Sequence, residues 1–236
     1  YAAFMQKVAK KYGIQSELLK RDNQVTETEL ENLISRLNND AAVTGILMMM
    51  PFPDHICTQK IIDLIDPDKD IDGLTTVNAG RLFSGRDGFF GCTPRAVMEI
   101  LESYDITVEG KRVVILGRSN VIGKPVSMML LNKNATVTIC HSRSRNLKEI
   151  TQEADIIVVA VGHPCSLSGD MIKKGAIVID VGINRIDGKT VGDADYESVL
   201  PVAGAVTPVP GGVGAVTTTM VIESVIKAGE QAVCKR

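Results

Sequence analysis

The stretch RVVILGRSNVIG, residues 112–123, reads as a strand that runs into a glycine turn and then into a helix. The apolar run Val113–Leu116 leads to Gly117, and after a polar interval Gly123 opens an apolar helical pattern. A glycine turn between strand and helix lets main-chain N–H groups approach a pyrophosphate at the positive end of the helix dipole. The spacing is GxxxxxG and not GxGxxG, so the segment supports two readings, a dinucleotide site and a structural βα turn. The next strand pattern, NATVTIC, ends in Cys140-His-Ser-Arg-Ser-Arg145. An NAD site usually carries a carboxylate there for the ribose 2′-hydroxyl. Arg118, Ser142, Arg143 and Arg145 suit a 2′-phosphate instead, which points to NADP. Solvated surface arginines are the competing reading for Arg143 and Arg145.

Outward from this unit, β-branched runs alternate with helical patterns. Strand patterns recur as DIIVVAVG (155–162), AIVIDVG (176–182) and a run near 203–207, with helical segments between the first three strands. Thr93-Pro94 opens a helix to about Tyr104, with proline at an early helical position, and a last helix follows TPVPGGVG. This alternation predicts an α/β fold with a parallel sheet. The expected organisation is two-lobed: residues 1–91 completed by the C-terminal helix at about 213–236, and a Rossmann-type domain over 92–212.

In the first lobe the pattern predicts a helix over 1–12 ended by Gly13 and a short strand near 14–19. It also predicts a helix opened by the capping box Thr26-Glu-Thr-Glu29 and a helix near 56–65. GILMMMPFP (45–53) has the continuous apolar character of a strand buried on both faces. Residues 66–91, rich in Gly and Asp, read as loop.

The bulk composition narrows the class. The chain has 236 residues, 44% hydrophobic and 23% charged, with net charge −2. That is ordinary for a globular protein with a substantial core. No basic block suggests nucleic acid, and the apolar runs fall short of the roughly 20 residues of a membrane helix. Five cysteines without CxxC spacing read as reduced thiols, and the three histidines carry no metal-ligand spacing. Cys92 reads as a packing residue, having no base beside it in sequence.

With these residues in hand, KDIDGLTTVNAGRL, CTPRAVMEIL, GRSNVIGKP, DVGINRIDGK, VGDADY and TPVPGGVG closely resemble the bifunctional methylenetetrahydrofolate dehydrogenase/cyclohydrolase (FolD-type) family. The resemblance covers essentially the whole chain. It implies a further portion upstream of Tyr1, supplying a helix and a central strand of the first lobe. It also implies two reactions at one cleft between the lobes: oxidation of methylenetetrahydrofolate by NADP, and opening of the methenyl product by water to 10-formyltetrahydrofolate. By the same resemblance a homodimer of one-carbon metabolism is expected, with a tetrahydrofolate derivative as its small-molecule partner, and the reduced thiols point to a cytoplasmic setting. Tyr1 and Asp72 match folate-site residues, Asp72 gripping the pterin ring. The alternative for Asp72 is a turn-former ahead of Gly73. Arg118 and Ser142 match NADP-phosphate contacts, with Ser119 beside them and Gly117 at the turn as further cofactor candidates, and Ile183 matches a nicotinamide-side contact. Pro210, Gly211 and Thr217 match positions at the folate and cofactor mouth.

The chain departs from the family at two catalytic positions. A tyrosine and a lysine four residues apart share one helix face, and these positions are Tyr1 and Met5. Lys7 lies roughly 200° around the helix from Met5 and cannot substitute. The glutamine of the family's strand motif falls on Met49, with Met48 and Met50 expected to be strand packing. A thioether donates nothing and accepts weakly, so Met5 and Met49 cannot handle water or its proton. Two apolar residues can also pack together where one lone polar partner would be left unsatisfied. The expectation is a dehydrogenase whose cyclohydrolase step is lost or weak. A further departure is Ala215-Val216 after PVPGGVG, where the family has Pro-Met. Competing readings are a non-catalytic folate- or NADP-binding relative, an NADP dehydrogenase of another small substrate, and a fully bifunctional enzyme with a different water-handling group.

Overall fold

The structure, a computed structural model, describes residues 2–234. Its contacts divide the chain into two compact units, one running to Cys92 and taking up the chain again from Thr218, the other Thr93–Thr217.

The first unit is helical among the described residues: α1 (Ala2–Lys11), α2 (Glu27–Asn39), α3 (Thr58–Ile62) and α4 (Thr76–Phe83). The capping box of α2 forms as its sequence requires. Thr26 Oγ1 accepts the Glu29 N–H at 3.2 Å, and the Glu29 carboxylate takes the Thr26 N–H at 2.8 Å. Such a cap contributes about 1 kcal/mol. The other end of α2 is closed by Lys69, whose ammonium donates to the carbonyls of Leu37, Asn38 and Asp40 at 2.9, 2.7 and 2.8 Å. A cation on orphan C-terminal carbonyls is also where the helix dipole favours it. Leu30 and Ile34 of α2 then pack with Val25, Ile46, Ile56, Ile61 and Ile65 into one apolar cluster. Burial contributes roughly 1.5–3 kcal/mol per large aliphatic side chain.

Two expected strands do not form. Near 14–19 no ladder is present, and the Ile14 N–H is spent on the Ala9 carbonyl at the end of α1. GILMMM makes a single parallel bridge, Ile46 to Asp70. An apolar run becomes a strand only where a neighbour satisfies its backbone groups, and among the described residues Asp70 alone pairs with it. Met48 packs on the apolar cluster as expected, whereas Met50 is 38% exposed and is not packing. The stretch read as loop also contains α4. Thr75 caps it by accepting the Asn78 N–H, a signal hidden among the glycines and aspartates.

The second unit carries α5 (Cys92–Ser103, from its second residue), β1 (Arg112–Leu116), α6 (Gly123–Asn132), β2 (Thr136–Cys140), α7 (Leu147–Gln152) and β3 (Ile156–Val159). After these come β4 (Ile177–Asp180), β5 (Asn184–Ile186), β6 (Lys189–Val191), α8 (Tyr196–Val199) and β7 (Ala205–Val206). Helix α9 (Val213–Cys234) begins here and continues in the first unit.

Five strands form a parallel sheet in the order β2-β1-β3-β4-β7. Leu116 stands beside Cys140 and Val159, and Val159 beside Asp180, so the carboxyl ends are level. The central β3, IIVV, is buried throughout, as a strand covered on both faces must be. The order reverses between β1 and β3, and in such sheets ligands enter at the carboxyl ends beside that reversal. A hairpin of β5 and β6 turns at Asp187-Gly188, both at positive φ (48° and 77°). The DG pair that demands such a turn is plain in the sequence, although the hairpin itself was not expected.

Candidate functional site

In the first unit the KDIDG segment divides its labour residue by residue. Lys69 caps α2. Asp70, 1% exposed, accepts the Leu74 and Thr75 N–H groups at 3.1 and 2.9 Å and the Asn78 side-chain amide at 3.0 Å. Asn78 also reaches the Pro67 carbonyl at 2.9 Å. The turn itself closes from the Gly73 N–H to the Asp70 carbonyl. Asp72 sits inside that turn, but the turn does not use its side chain. Its half-buried carboxylate reaches away to the Cys92 N–H at 2.8 Å. Burial pushes the Asp72 carboxyl above its ordinary value, the Asp70 charge adds to that, and the Cys92 hydrogen bond opposes both.

Met5 is buried on α1 at 6% exposure, and Met49 is half-buried. Lys7 is exposed while Met5 and Ala9 are buried, which keeps Lys7 off the Met5 face. Tyr1 lies outside the described residues.

In the second unit the parallel order brings the cofactor candidates to one edge. Gly117 follows β1 at φ 116°, and its N–H bonds the Cys140 carbonyl at 2.9 Å. A Cβ there would collide with the Ala160 carbonyl, so the backbone approach at the β1/β3 reversal requires glycine. Arg118 and Ser142, both exposed, leave the carboxyl ends of the adjacent strands β1 and β2. Ser119 has a structural duty: its Oγ accepts the Ile122 and Gly123 N–H groups at 3.0 and 3.4 Å and so closes the turn that leads into α6. After β2 the chain folds into a tight turn, with the His141 N–H on Ser144 Oγ and the Arg143 N–H on His141 Nδ1. Cys140 is buried, which pushes its thiol up and leaves it protonated and unreactive.

Ile183 follows β4 and is 69% exposed, a large apolar side chain held toward solvent. Pro210 is exposed, and Gly211 is exposed at φ 103° beyond β7. Thr217, in α9, donates to the Val213 carbonyl at 3.0 Å and meets Thr93 Oγ1 at 3.5 Å. A cavity of about 390 Å³ lies within this unit, lined among others by Pro164, Asp180, Gly192, Tyr196 and Pro208.

Two family models divide the chain in the same order. One described as tetrahydrofolate dehydrogenase/cyclohydrolase, catalytic domain, matches residues 1–72, and its NAD(P)-binding domain matches residues 91–233. The chain belongs to the tetrahydrofolate dehydrogenase/cyclohydrolase family. The bifunctional protein FolD of Bacillus cytotoxicus is 47% identical across 100% of this chain and 83% of its own length. The bifunctional dehydrogenase/cyclohydrolase from Campylobacter jejuni superposes with a TM-score of 0.96 at 44% identity, covering 98% of this chain and 83% of that one. The Trypanosoma brucei enzyme, solved with NADP and an inhibitor, gives 0.93 at 36% identity, covering 99% and 82%.

For a member of this family the second unit fits a dinucleotide. Gly117 lets the exit of β1 pass against the Ala160 carbonyl at the strand reversal, the place where such sheets take their ligands. The turn after β2 presents Ser142, Arg143 and Arg145, with no carboxylate to repel a 2′-phosphate. Among the described residues no group of His, Cys, Asp and Glu could hold a metal ion, and no helix is long and apolar enough to cross a membrane.

Two site-shaping residues escaped the sequence reading. Asp180, 4% exposed at the end of β4, accepts the Gly182, Asp193 and Ala194 N–H groups at 2.9, 3.0 and 2.8 Å. Burial raises its carboxyl above the ordinary value, its three N–H donors oppose this, and the Asp193 charge adds to the rise. Asp193, 0% exposed, accepts the Val161 and Gly162 N–H groups at 2.7 and 2.8 Å. Acidic residues inside DVGINR and VGDADY were the available signal, but their partners lie far off in sequence.

Proposed function

We propose that this family member oxidises 5,10-methylenetetrahydrofolate with NADP and that its cyclohydrolase step is lost or very weak. The observation that carries the folate reading is Asp72. Its neighbour Asp70 satisfies the turn, which frees the Asp72 carboxylate to face N–H donors such as those of a pterin edge. NADP, when bound, supplies the hydride acceptor. The turn from Gly117 into α6 would face its pyrophosphate, Arg118 and Ser142 would hold its 2′-phosphate, and Ile183 would pack at the nicotinamide end. Oxidation removes one hydride from the bridging carbon and leaves a methenyl cation, so it depends mainly on how two rings are positioned. Tyr1 is proposed as a folate contact, and Pro210, Gly211 and Thr217 are proposed to line the mouth of the cofactor site.

Opening the methenyl cation adds one water and releases one proton, which needs an oriented water and a group to take the proton. Met5 and Met49 offer two thioethers where the resemblance places an ammonium and an amide, and neither can do this work. The test follows both half-reactions. Methylenetetrahydrofolate-dependent NADPH formation is expected at a rate typical of a working dehydrogenase, and added methenyltetrahydrofolate should decay at the buffer rate. Enzyme-accelerated decay would overturn the cyclohydrolase part alone. Absence of NADPH formation would overturn the whole reading.

A further inference from the structure

The two exposed loops that flank the carboxyl ends of β3 and β4 share one buried anchor. One Asp193 oxygen accepts the N–H groups of Val161 and Gly162, on the chain leaving β3. Its other oxygen accepts the Asn184 side-chain amide at 2.8 Å, and that amide also donates to the Gly192 carbonyl at 3.0 Å. Asn184 is the residue after Ile183. The residue before it, Gly182, sits so close that a Cβ would collide with the Asp193 carboxyl. Asp193 is itself held through its N–H by Asp180 at the end of β4. A rigid strand end thus fixes Asp193, and Asp193 fixes both loops.

The arrangement is costly as pure scaffolding. It buries two neighbouring carboxylates whose bonds here run to main-chain N–H groups and one amide, and a buried charge satisfied by N–H groups alone retains a desolvation penalty. What it holds outward is Ile183, an apolar side chain 69% exposed on a turn pinned from both sides. Ile183 Cδ1 lies about one van der Waals contact from Gly214 at the start of α9, 3.6 Å from where a Cβ would stand. An apolar side chain fixed in an exposed position is pre-organised to meet a ring.

We propose that Asp193, acting through Asn184, is a positioning residue for cofactor binding: it sets Ile183 and the Val161–Gly162 amides in the geometry that receives the nicotinamide end. This rests on the NADP reading above.

Asn184→Ala removes the Ile183-side tether, leaves Asp193 and its two loop amides in place, and is expected to fold because Asn184 is only half-buried. It should raise the NADP KM and the NADPH Kd about 10-fold, roughly the 1.4 kcal/mol of one lost amide–carboxylate bond, while the methylenetetrahydrofolate KM stays within about two-fold. Asp193→Asn turns one acceptor into a donor facing the Asn184 amide and should be worse. The exchange Asp193→Asn with Asn184→Asp restores a donor–acceptor pair and should recover part of the cofactor affinity. A lowered Tm with unchanged NADP KM and NADPH Kd in Asn184→Ala would overturn the proposal and leave a purely structural role. Direct NADPH titration separates this from the functional reading. If the wild-type protein binds NADPH but does not oxidise the folate, the substrate reading fails while the titration of Asn184→Ala still decides the role of Asp193.

Discussion

The carboxylate of Asp72 accepts the main-chain N–H of Cys92 at 2.8 Å, while the next carboxylate upstream, Asp70, spends both oxygens on the turn that leads into α4. Two aspartates, one residue apart, thus have opposite duties. One holds the turn and the other reaches across to Cys92.

This division predicts a trade between stability and binding at Asp72. Burial raises its folded carboxyl above 3.8, so between 3.8 and that raised value the folded chain holds a proton that the unfolded chain has released. Stability therefore falls as pH rises through that window, and at neutral pH the ionised group is a net cost. Asp72→Asn keeps an acceptor for Cys92 and should match or exceed the wild-type Tm at pH 7, with the difference fading below pH 4. Its methylenetetrahydrofolate affinity should fall about 10- to 100-fold, the loss of a charge-assisted hydrogen bond. Thermal melts across pH and steady-state KM values check the two halves separately.

The methionine pair predicts an asymmetric response to restoring polarity. Met5 is 6% exposed and Met49 half-buried. Met5→Lys alone should lower the unfolding free energy by about 3 kcal/mol, and Met49→Gln by about 1 kcal/mol, because an ammonium is costlier to bury than an amide. The double variant should accelerate methenyltetrahydrofolate decay above buffer, where neither single variant does. Urea unfolding and the decay assay read these outcomes.

At the sheet edge, Arg118→Ala should raise the NADP KM about 10-fold or more and leave the NAD KM nearly unchanged, since an exposed guanidinium on a 2′-phosphate acts only where that phosphate exists. Raising ionic strength should narrow the difference between wild type and variant. Equal effects on NAD and NADP would place Arg118 elsewhere on the cofactor.

Lys69 supplies a control outside chemistry. Lys69→Met leaves three carbonyls at the end of α2 without their cation and should cost about 2 kcal/mol of stability. NADPH affinity should not change, because α2 and the β1–α6 turn belong to different units.

Much of the second unit was legible in the chain because its signals are local. RVVIL, TVTIC, IIVV and IVID are runs of strand length rich in β-branched residues, and each became a strand of the parallel sheet. GILMMM is an apolar run of similar length and did not, since a strand is a property of two partners and among the described residues only Ile46 found one. Helix α4 was missed because Thr75 and Asn78, its cap and its buried core amide, sit in a glycine- and aspartate-rich run that resembles loop.

By itself the sequence determined the alternating α/β order, the glycine at the β1 turn, the basic character of the β2 exit and the absence of polar groups at positions 5 and 49. These are statements about residue type at a position, and propensity, charge and hydrogen-bonding capacity are carried by each residue wherever it goes. Only the tertiary structure decided which of two neighbouring aspartates holds the turn, that Ser119 closes the turn into α6, and that Asp193 ties the Val161–Gly162 loop to the turn bearing Ile183. A hydrogen bond depends on distances of about 3 Å between groups that may be thirty residues apart in the chain, and only folding brings those groups within reach.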